Sequence, residues 1–421
     1  MSAQKLAAEL DDPMPSAADP VVAALAHVAG KALADGPGGR VGLELEFHLV
    51  SLADPVRRVA WPEVLAAIGG LPGMPSGSAV SVEPGGQVEL STPPAAGLVH
   101  AVRALRRDEA VLRAELRGVG FGLAALGTDP ARPATRVNPA PRYRAMERHF
   151  DAVGCSVPGR SMMSSTAALQ VNLDAGPASG WQQRFRLLQL LVPILVAASA
   201  SSPWLAGRTT GSHSMRQAAW RHIDAARTGP VPDGEPTQAW ASYSLQAPVM
   251  LDRLTMRPVC HRTSFAAWLR GDAADPALAT RRPTRADLEY HLTTLFPPVR
   301  PRGYLEVRCL DALPGRWWPA LAALTVTLAD DPVAADLAAE LCEPAAGRLA
   351  DAVRWGPAHS VVGRAVRGCL EVAVQHCPDE LRGELGDFAE LVGSGRTPSG
   401  EIRRRIAERG PAAVLEEEAH A

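Results

Sequence analysis

The chain has 421 residues and a formal net charge of −2, which allows one large mixed domain or two smaller ones and does not indicate a nucleic acid or an anionic membrane as partner. Its only lysines are Lys5 and Lys31, and the absence of a Gly-x-x-x-x-Gly-Lys motif excludes P-loop chemistry. Any side chain that contacts a phosphate in the body of the chain is therefore expected to be arginine, whose planar guanidinium suits phosphate and carboxylate groups.

The termini and the cysteines indicate a cytosolic protein. Residues 1–20 are polar and interrupted by prolines, so we expect a flexible tail rather than a signal peptide. The six cysteines include no Cys-x-x-Cys pair and are expected to be mostly reduced core residues. The most apolar run, 187–200, contains Gln189 and Pro193 and is too short to cross a bilayer, which predicts a buried helix.

The segment 41–49 alternates strictly between apolar residues and Gly42, Glu44, Glu46 and His48, which predicts a strand buried on one face. Two acids that are two residues apart point to the same side of a strand and repel each other unless a cation lies between them. Glu44 and Glu46 are therefore candidate Mg²⁺ ligands, and an ordinary solvated strand face explains this one segment equally well.

Three further segments share this design, with aliphatic side chains on one face and polar side chains on the other. They are a strand pair at 79–91 with a turn at 84–86, a strand at 164–174 and a strand at 303–311. Their polar faces carry Glu83, Gln87 and Glu89, then Gln170 and Asn172, then Tyr304, Glu306 and Arg308.

The polar faces of these strands are predicted to join into one concave surface. Five acids on one surface cannot all stay ionised without partners at reasonable cost, and divalent metal ions are the simplest way to neutralise them. Because Mg²⁺ prefers oxygen ligands and leaves positions open for phosphate oxygens, this surface points to ATP-dependent chemistry on a carboxylate. The predicted lining is Glu44, Glu46, Glu83, Glu89, Gln170, Asn172, Glu306 and Arg308.

Helices are predicted between the strands and throughout the part from residue 315 to the end. The predicted helices before that part cover 21–34, 61–68, 95–118, 178–201, 263–270 and 285–295, and two more strands are predicted at 121–127 and 243–250. The segment 128–163 is predicted to be irregular. Its basic group, which includes Arg136, Arg142, Tyr143, Arg144 and Arg148, can contact a nucleotide, although a solvated surface is the default interpretation.

The segment 212–228 is predicted to be a helix in which Arg216, Trp220, Asp224 and Arg227 share one face, at spacings of four, four and three. A face that mixes arginine, tryptophan and aspartate suits a bound carboxylate or phosphate beside an aromatic wall. An Arg–Asp pair next to a half-buried tryptophan is the alternative interpretation.

Five motifs, in this order, resemble those of glutamate–cysteine ligases of the plant and proteobacterial type. They are EPGGQVELS at 83–91, QVNLD at 170–174, SMRQAAW at 214–220 with RTG at 227–229, HLTTLFP at 291–297 and YLEVR at 304–308. The composition, rich in alanine and arginine, looks actinobacterial, which makes the chain similar to the member of this family that opens ergothioneine synthesis. The resemblance covers about residues 40 to 330.

The resemblance implies an α+β fold, in which a curved, funnel-like antiparallel sheet of about six strands has helices on its outer face, as in the glutamine-synthetase-like ligases. It implies one catalytic domain over 21–421, of which 315–421 is a helical C-terminal part. The implied substrates are ATP, L-glutamate and L-cysteine, with Mg²⁺ as cofactor. The implied reaction joins the γ-carboxylate of glutamate to the amine of cysteine through a γ-glutamyl phosphate.

The resemblance also implies roles for particular residues. The metal ligands would come from Glu44, Glu46, Glu83, Glu89 and Glu306. Arg216 would hold the α-carboxylate of glutamate, Arg308 would lie near the phosphates and act with Glu306 in catalysis, and Trp220, Gln170, Asn172 and Tyr304 would contact substrate. One departure is Ser164-Ser165, where the plant enzymes tend to carry a basic residue, so that glutamate is held differently here.

Two other interpretations stay open at this stage. A ligase of the same superfamily can use a different amine acceptor, and a binding protein can use the acidic surface to sense a metal ion or an amino acid. Cys309 is predicted to face the core as a structural thiol, and His48 and His291 are predicted to be structural histidines rather than metal ligands. The oligomeric state is not predicted.

Overall fold

An antiparallel sheet of eight strands forms the centre of the protein in the computed structural model, which describes residues 19–421. The order across the sheet is β2-β3-β1-β6-β10-β9, and β4 and β5 pair with the two ends of β1. This path of six strands confirms the predicted sheet. The strands are β1 (Arg40–Ser51), β2 (Ala79–Val82), β3 (Val88–Ser91), β4 (Ala95–Ala96), β5 (Phe121–Ala124), β6 (Ala168–Leu173), β9 (Val299–Pro301) and β10 (Leu305–Asp311), while β7 (Leu251–Asp252) and β8 (Arg257–Pro258) form a small separate sheet.

The alternating sequence of β1 decides which face of the sheet is covered. Leu43, Leu45 and Phe47 are fully buried against the helices, whereas Glu44 and Glu46, on the other side, are only partly buried. The antiparallel register places Glu46 opposite Glu89 of β3, and Glu44 opposite Gln170 of β6. The polar side chains of separate strands are therefore direct cross-strand neighbours.

Helices cover the apolar face of the sheet and continue into a C-terminal helical layer. The helices Leu98–Gly118, Trp181–Ser199 and Trp318–Asp330 pack against β1, β10 and β6, respectively. The last helix packs closely against β5, because a Cβ at Gly122 would lie 2.3 Å from the carbonyl oxygen of Ala419. The helices before residue 300 are α1 (Pro20–Ala32), α2 (Trp61–Gly69), α3 (Leu98–Gly118), α4 (Pro141–Ala152), α5 (Ser156–Ser165), α6 (Trp181–Ser199), α7 (Met215–Arg221), α8 (Ala225–Thr228), α9 (Pro236–Gln246), α10 (Phe265–Arg270) and α11 (Arg285–Leu292). The later ones are α12 (Trp318–Asp330), α13 (Pro332–Cys342), α14 (Leu349–Trp355), α15 (Ser360–His376), α16 (Asp379–Gly393), α17 (Pro398–Arg409) and α18 (Pro411–His420).

The predictions for the segments 243–250 and 128–163 were wrong. The predicted strand at 243–250 begins inside α9, because Glu235 caps the N–H groups of Thr237 and Gln238 and Pro236 starts the helix. The segment 128–163, which was predicted to be irregular, contains α4 and most of α5. Proline at the first position of α4 and a buried apolar side are helix signals that the many arginines obscured.

The predicted buried helix at 187–200 is confirmed as the second half of α6, with Pro193 inside it. Within residues 19–421, none of the helices combines the length and the apolar character that crossing a bilayer requires. All six cysteines are free thiols, and only Cys260 is exposed. The predicted N-terminal tail lies almost entirely outside the described residues, and the division into domains stays a prediction.

Candidate active site

A cavity of about 280 Å³ opens on the polar face of the sheet and is called the sheet cavity below. It brings together side chains from β1, the β2–β3 hairpin, β6, α7 and β10, which are far apart in the sequence. All five acids that were predicted to gather line this cavity, namely Glu44, Glu46, Glu83, Glu89 and Glu306. Gln170, Arg216, Trp220 and Arg308 line it as well.

The turn between β2 and β3 fixes the position of Glu83. Gln87 accepts a hydrogen bond from the backbone N–H of Gly85 and donates one of 2.8 Å to the carbonyl oxygen of Thr166, which ties the hairpin to α5. A Cβ at Gly85 would lie 2.3 Å from the carbonyl oxygen of Ser164, so only glycine allows this close approach. The predicted turn at 84–86 therefore also packs directly against the end of α5.

Four of the acids face the sheet cavity without a cationic partner. Among the described residues, no arginine, lysine or histidine lies within ion-pair distance of Glu44, Glu46, Glu83 or Glu89. Their hydrogen bonds come from neutral groups. Asn172 donates to Glu44 at 2.8 Å, the backbone N–H of Ala168 to Glu46 at 2.9 Å, and Ser81 and Ser91 donate to Glu89 at 3.0 and 3.1 Å.

Burial and mutual repulsion raise the pKa values of these acids. Burial, followed by the charges of Glu89 and Glu306, raises the pKa of Glu44 to about 7. Burial and then the charge of Glu89 raise the pKa of Glu83 to about 7, and burial with Glu83 and Glu89 raises the pKa of Glu46 well above its usual range. The site therefore holds protons near neutral pH that a bound cation would displace.

Glu306 is the exception, because arginines surround it. Arg300, which is opposite Glu306 in the neighbouring strand β9, donates to both carboxylate oxygens at 2.6 and 3.0 Å. Arg302 donates to Oε1 at 3.2 Å, and Arg308 donates to Oε2 at 3.0 Å and to Gln170 at 2.8 Å. Burial opposes ionisation, but the charges of Arg308 and Arg300 outweigh it, so the pKa of Glu306 lies far below its usual range.

Arg216 reaches the sheet cavity from α7 and is almost completely buried. Its Nη2 donates to the carbonyl oxygen of Arg308 at 2.9 Å, and its Nε is buried without a hydrogen-bond partner among the described residues. Its guanidinium lies 6.0 Å from the ring of Trp220, which packs edge-on against Phe296 with ring centroids 5.4 Å apart. An arginine and an aromatic wall are thus present, as predicted.

The predicted single helix over 212–228 was wrong. Helix α7 ends at Arg221, and Asp224 adopts an extended backbone and caps the short helix α8 by accepting from the N–H of Ala226. An aspartate that bonds to nearby backbone N–H groups favours a helix start over a helix interior. Arg227 therefore does not share the face of Arg216. It is fully buried and donates to the carbonyl oxygens of Thr294 and Pro248.

A buried carboxylate fixes α7 to β10. Asp311, at the end of β10, accepts hydrogen bonds from the hydroxyls of Ser202 and Ser214 and from the backbone N–H of Ser201. The hydroxyl of Ser214 also caps α7, because it accepts from the N–H of Gln217 at 3.0 Å. The helix that carries Arg216 is thereby docked on the strand that carries Glu306 and Arg308.

Two predicted substrate contacts do not line the sheet cavity. Asn172 lies behind Glu44, and its Oδ1 is buried without a hydrogen-bond partner in the described part of the chain. Tyr304 is half-buried at the start of β10, with the guanidinium of Arg302 lying 5.9 Å from its ring. Asn172 donates a hydrogen bond to Glu44, and contact of Asn172 or Tyr304 with a substrate stays a prediction.

Part of the cavity wall was missed by the sequence analysis. An apolar side is formed by Met146, Met162, Met163 and Phe296, which belong to α4, α5 and the loop before β9. Arg142 also lines the cavity, and it is held by hydrogen bonds of 2.9 and 3.0 Å to Thr293. Arg142 and Tyr143 belonged to the basic group of the sequence analysis, whereas the methionines gave no signal that distinguishes them from core residues.

The oxygen donors in the sheet cavity fit a divalent cation of the Mg²⁺ type. The four acids without cationic partners and the side-chain oxygen of Gln170 form an oxygen-only set, which such ions prefer. Within residues 19–421, no three acidic, cysteine or histidine side chains already converge on one point. Mg²⁺ normally takes only one or two carboxylates and completes its shell with water and phosphate oxygens, so a ready-made cluster of three is not required.

The residues predicted to be structural are buried and bonded to the backbone or packed in the core. The Nε2 atoms of His48 and His291 donate to the carbonyl oxygens of Leu126 and Ser244 at 3.0 and 2.9 Å. Burial lowers the pKa of His48 to about 4 and that of His291 to about 3, so both rings are neutral. Cys309 is buried, and burial raises the pKa of its thiol to about 12, which makes it unreactive.

The antiparallel sheet, its cluster of acids and its neighbouring arginines define a carboxylate–amine ligase. Residues 40–418 match the model of glutamate–cysteine ligase family 2, and the chain belongs to this family, which confirms the family predicted from the sequence.

Relatives and solved structures agree with this family. The chain is 48% identical over 398 residues to the glutamate–cysteine ligase EgtA of Mycolicibacterium smegmatis, covering 94% of this chain and 93% of that one. It is 34% identical over 259 residues to the chloroplastic glutamate–cysteine ligase of Brassica juncea, covering 60% and 50%. The fold is similar to that of the Francisella tularensis glutamate–cysteine ligase solved in complex with AMP, with a TM-score of 0.58, 12% identity and coverage of 92% and 88%.

Proposed function

We propose that the protein uses ATP to join the γ-carboxylate of L-glutamate to the amine of L-cysteine. The observation that carries this proposal is the gathering of five acids and several arginines from separate strands in one cavity. The acids suit the metal ions that accompany ATP, and the arginines suit phosphate and carboxylate groups. The family match and the close similarity to relatives named glutamate–cysteine ligase support the same reaction.

Glu44, Glu46, Glu83 and Glu89 are the proposed metal ligands, because each faces the cavity without a cationic partner among the described residues. When bound, Mg²⁺ supplies neutralisation of the charge that develops on the transferred phosphoryl group. The metal role of Glu306 stays a prediction, since an ion would have to displace an arginine from it. In the present arrangement Glu306 orients Arg300 and Arg308.

The arginines of the sheet cavity have two separate proposed roles, binding of phosphate and binding of glutamate. Arg308 and Arg300 lie at the cavity wall, fixed by Glu306, so their positive charge is preorganised for the phosphates and for the charge that builds up during transfer. Arg216 retains an unpartnered buried Nε and is the proposed contact for the α-carboxylate of glutamate. Positioning and electrostatics are therefore the main contributions of the protein to catalysis.

The proposed chemistry runs in two steps. The γ-carboxylate of glutamate attacks the γ-phosphorus of ATP, which forms γ-glutamyl phosphate and releases ADP. The amine of cysteine then attacks the acyl carbon and displaces phosphate. The apolar wall of Met146, Met162 and Phe296 limits access of water to this reactive intermediate.

The direct test of this function is ADP formation in a coupled assay that contains glutamate, cysteine, ATP and Mg²⁺. ADP release should require both amino acids, and it should be faster with cysteine than with a panel of other amines. Faster release with another amine would identify a ligase with a different acceptor. Calorimetric binding of Mg²⁺ and glutamate with no ATP turnover would instead identify a non-catalytic binding protein.

Variants test the role of the acids in that assay. Glu46→Gln and Glu89→Gln should each lower turnover by orders of magnitude while the protein still folds, because the amide cannot neutralise a divalent ion. Glu115→Gln, a change of the same kind on the exposed face of α3, is the matched control and should retain full turnover. Near-normal turnover in both cavity variants would overturn the metal assignment.

Three further predictions concern the pathway, the location and the domain organisation of the protein. Delivery of the product to ergothioneine synthesis is supported by the relatives that carry the name EgtA. A cytosolic location and a single catalytic domain over 21–421 stay predictions.

A further inference from the structure

A second cavity, called the C-terminal cavity below, lies among α15, α16 and α17. Its volume is about 740 Å³, which is larger than that of the sheet cavity, and it is not part of the proposed active site. Four arginines line it, with one acid. The charged and imidazole-bearing residues of the lining are His213, His359, Arg367, Arg396, Arg403, Arg404 and Glu401.

The C-terminal cavity carries a net positive charge, because two of its four arginines have no acidic partner among the described residues. Glu401 is the one acid of its lining and already pairs with Arg396, and Arg404 pairs with Glu408 at 3.1 Å. Arg367 is exposed on α15 and has no ion-pair partner among the described residues. A cavity with this excess of guanidinium groups attracts an anion and repels a cation.

Two side-chain nitrogen atoms at the C-terminal cavity make no hydrogen bond to the described residues. His213 Nδ1 and Arg403 Nε are both buried and have no hydrogen-bond partner in the described part of the chain. Burial, together with the charge of Arg403, lowers the pKa of His213 to about 4, so this ring is neutral at pH 7 and the positive charge of the cavity comes from its arginines. An anionic ligand would provide the acceptors that this region lacks.

The C-terminal cavity is linked directly to helix α7. Arg403 donates to the carbonyl oxygens of Gly211 and Ser212 at 2.7 and 2.6 Å, and the next two N–H groups, of His213 and Ser214, donate to the carbonyl oxygen of Val353. Ser214 then caps α7 and donates to Asp311. Residues 211–214 thus connect the wall of the C-terminal cavity to Ser214, which caps the helix that carries Arg216 and bonds this helix to Asp311.

We propose that the C-terminal cavity binds a small molecule with a multiply charged anionic group, and that its occupancy changes the affinity of the active site for glutamate through residues 211–214. The unpartnered Nε and the Nη2 that holds residues 211 and 212 belong to the same guanidinium, so a ligand that binds Nε shifts the group that holds this segment and changes the position of α7. The binding part of this inference is independent of the proposed function. The effect on glutamate rests on it.

Sulfate is the probe for binding, titrated into the whole protein by calorimetry at constant ionic strength maintained with chloride. Arg367→Glu should weaken sulfate binding at least tenfold, because it reverses a charge in the cavity wall. Arg364→Glu is the matched control, since Arg364 is exposed on the same helix, one turn away, and does not line the cavity. Succinate, titrated in parallel, distinguishes a carboxylate ligand from a phosphate-like one.

Equal sulfate affinity in the wild type, Arg367→Glu and Arg364→Glu would overturn the site, because binding would then belong to the arginines of the sheet cavity. Absence of sulfate binding in the wild type would overturn it as well. The coupling is read from the KM for glutamate with and without sulfate. A change that is lost in Arg367→Glu and kept in Arg364→Glu supports the link, whereas the same change in both variants contradicts it. Because sulfate binding is measured without turnover, failure of the proposed ligase reaction would be seen separately.

Discussion

Protonation of individual glutamates determines how the sheet cavity responds to a metal ion. Burial and neighbouring carboxylates raise the pKa values of Glu44 and Glu83 to about 7, so each group carries a proton for about half of the time at neutral pH. A carboxylate must be ionised to hold a divalent ion, and the ion therefore expels protons when it binds. Below pH 7 Glu44 and Glu83 release more protons when the ion binds, and well above pH 7 these two groups are already ionised and release few.

The prediction is that the heat of Mg²⁺ binding in the presence of a non-hydrolysable ATP analogue depends on the buffer. At pH 7 the measured enthalpy should vary with the ionisation enthalpy of the buffer, and at pH 8.5 the variation should be much smaller. Calorimetry in three buffers measures this directly. Identical enthalpies in all buffers at pH 7 would mean that the glutamates are ionised before the ion arrives.

Arg216 is expected to contribute to glutamate binding rather than to the chemical step. Arg216→Ala should raise the KM for glutamate by roughly 10- to 100-fold, which corresponds to the loss of a hydrogen bond to a charged group. The KM for ATP should change little, because Arg300 and Arg308 remain. Steady-state kinetics with each substrate varied separately provides the measurement, and an unchanged KM for glutamate would remove Arg216 from the substrate site.

At the scale of residues, alternation along the strands was enough to select the acids of the sheet cavity. It could not show that Glu306 differs from the rest, because its main partner Arg300 comes from the adjacent strand β9 and is paired with it only by the register. The methionines of the cavity wall were missed for a related reason. From the sequence alone, an apolar residue on a helix is predicted to lie in the core, whether it faces a cavity or another helix.

The short helix α7 depends on its N-cap for both stability and position. Ser214→Ala removes the cap and one hydrogen bond to Asp311, and a lost serine cap costs about 1 kcal/mol. Because α7 carries Arg216, this variant should also raise the KM for glutamate. Ser264 is the matched control, since it caps the short helix α10 in the same way and does not line the sheet cavity.

Chemical unfolding and steady-state kinetics together measure the effect of these two variants. Ser214→Ala should lose more free energy of unfolding than Ser264→Ala, because it also removes the hydrogen bond to Asp311, and only Ser214→Ala should change the KM for glutamate. Equal kinetic effects in the two variants would show that general destabilisation is responsible. No kinetic effect in either would show that Ser214 does not position α7.

At the scale of elements, strands with one apolar face were predicted well, and breaks between helices were not. The sequence from 212 to 228 keeps a helical spacing of charged and aromatic residues, yet Asp224 uses its carboxylate to start a new helix. The strand predicted at 243–250 failed because a cap at Glu235 and a proline outweighed the apolar pattern that follows. In both cases one side chain that bonds to the nearby backbone decided where a helix begins. The spacing of apolar and polar residues does not reveal such a contact.

At the scale of the whole molecule, the central feature is the pairing of strands that are distant in the chain. The order β2-β3-β1-β6-β10-β9 places β6 beside β1 and β10 beside β6, although more than 100 residues separate the two strands of each pair in the sequence. The sequence predicted that the polar faces join but not which strands are neighbours. Register and strand order depend on contacts across the whole sheet, so they cannot be predicted from any single segment of the sequence.

The measurement that tests the account most directly is anomalous diffraction from crystals grown with Mn²⁺, in place of Mg²⁺, and a non-hydrolysable ATP analogue. We predict an anomalous peak in the sheet cavity within bonding distance of carboxylate oxygens from at least two of Glu44, Glu46, Glu83 and Glu89, with phosphate oxygens completing the shell. An ATP analogue bound in this cavity with no Mn²⁺ beside these acids, or Mn²⁺ bound only elsewhere, would contradict the claim that several distant strands build one cation-binding site.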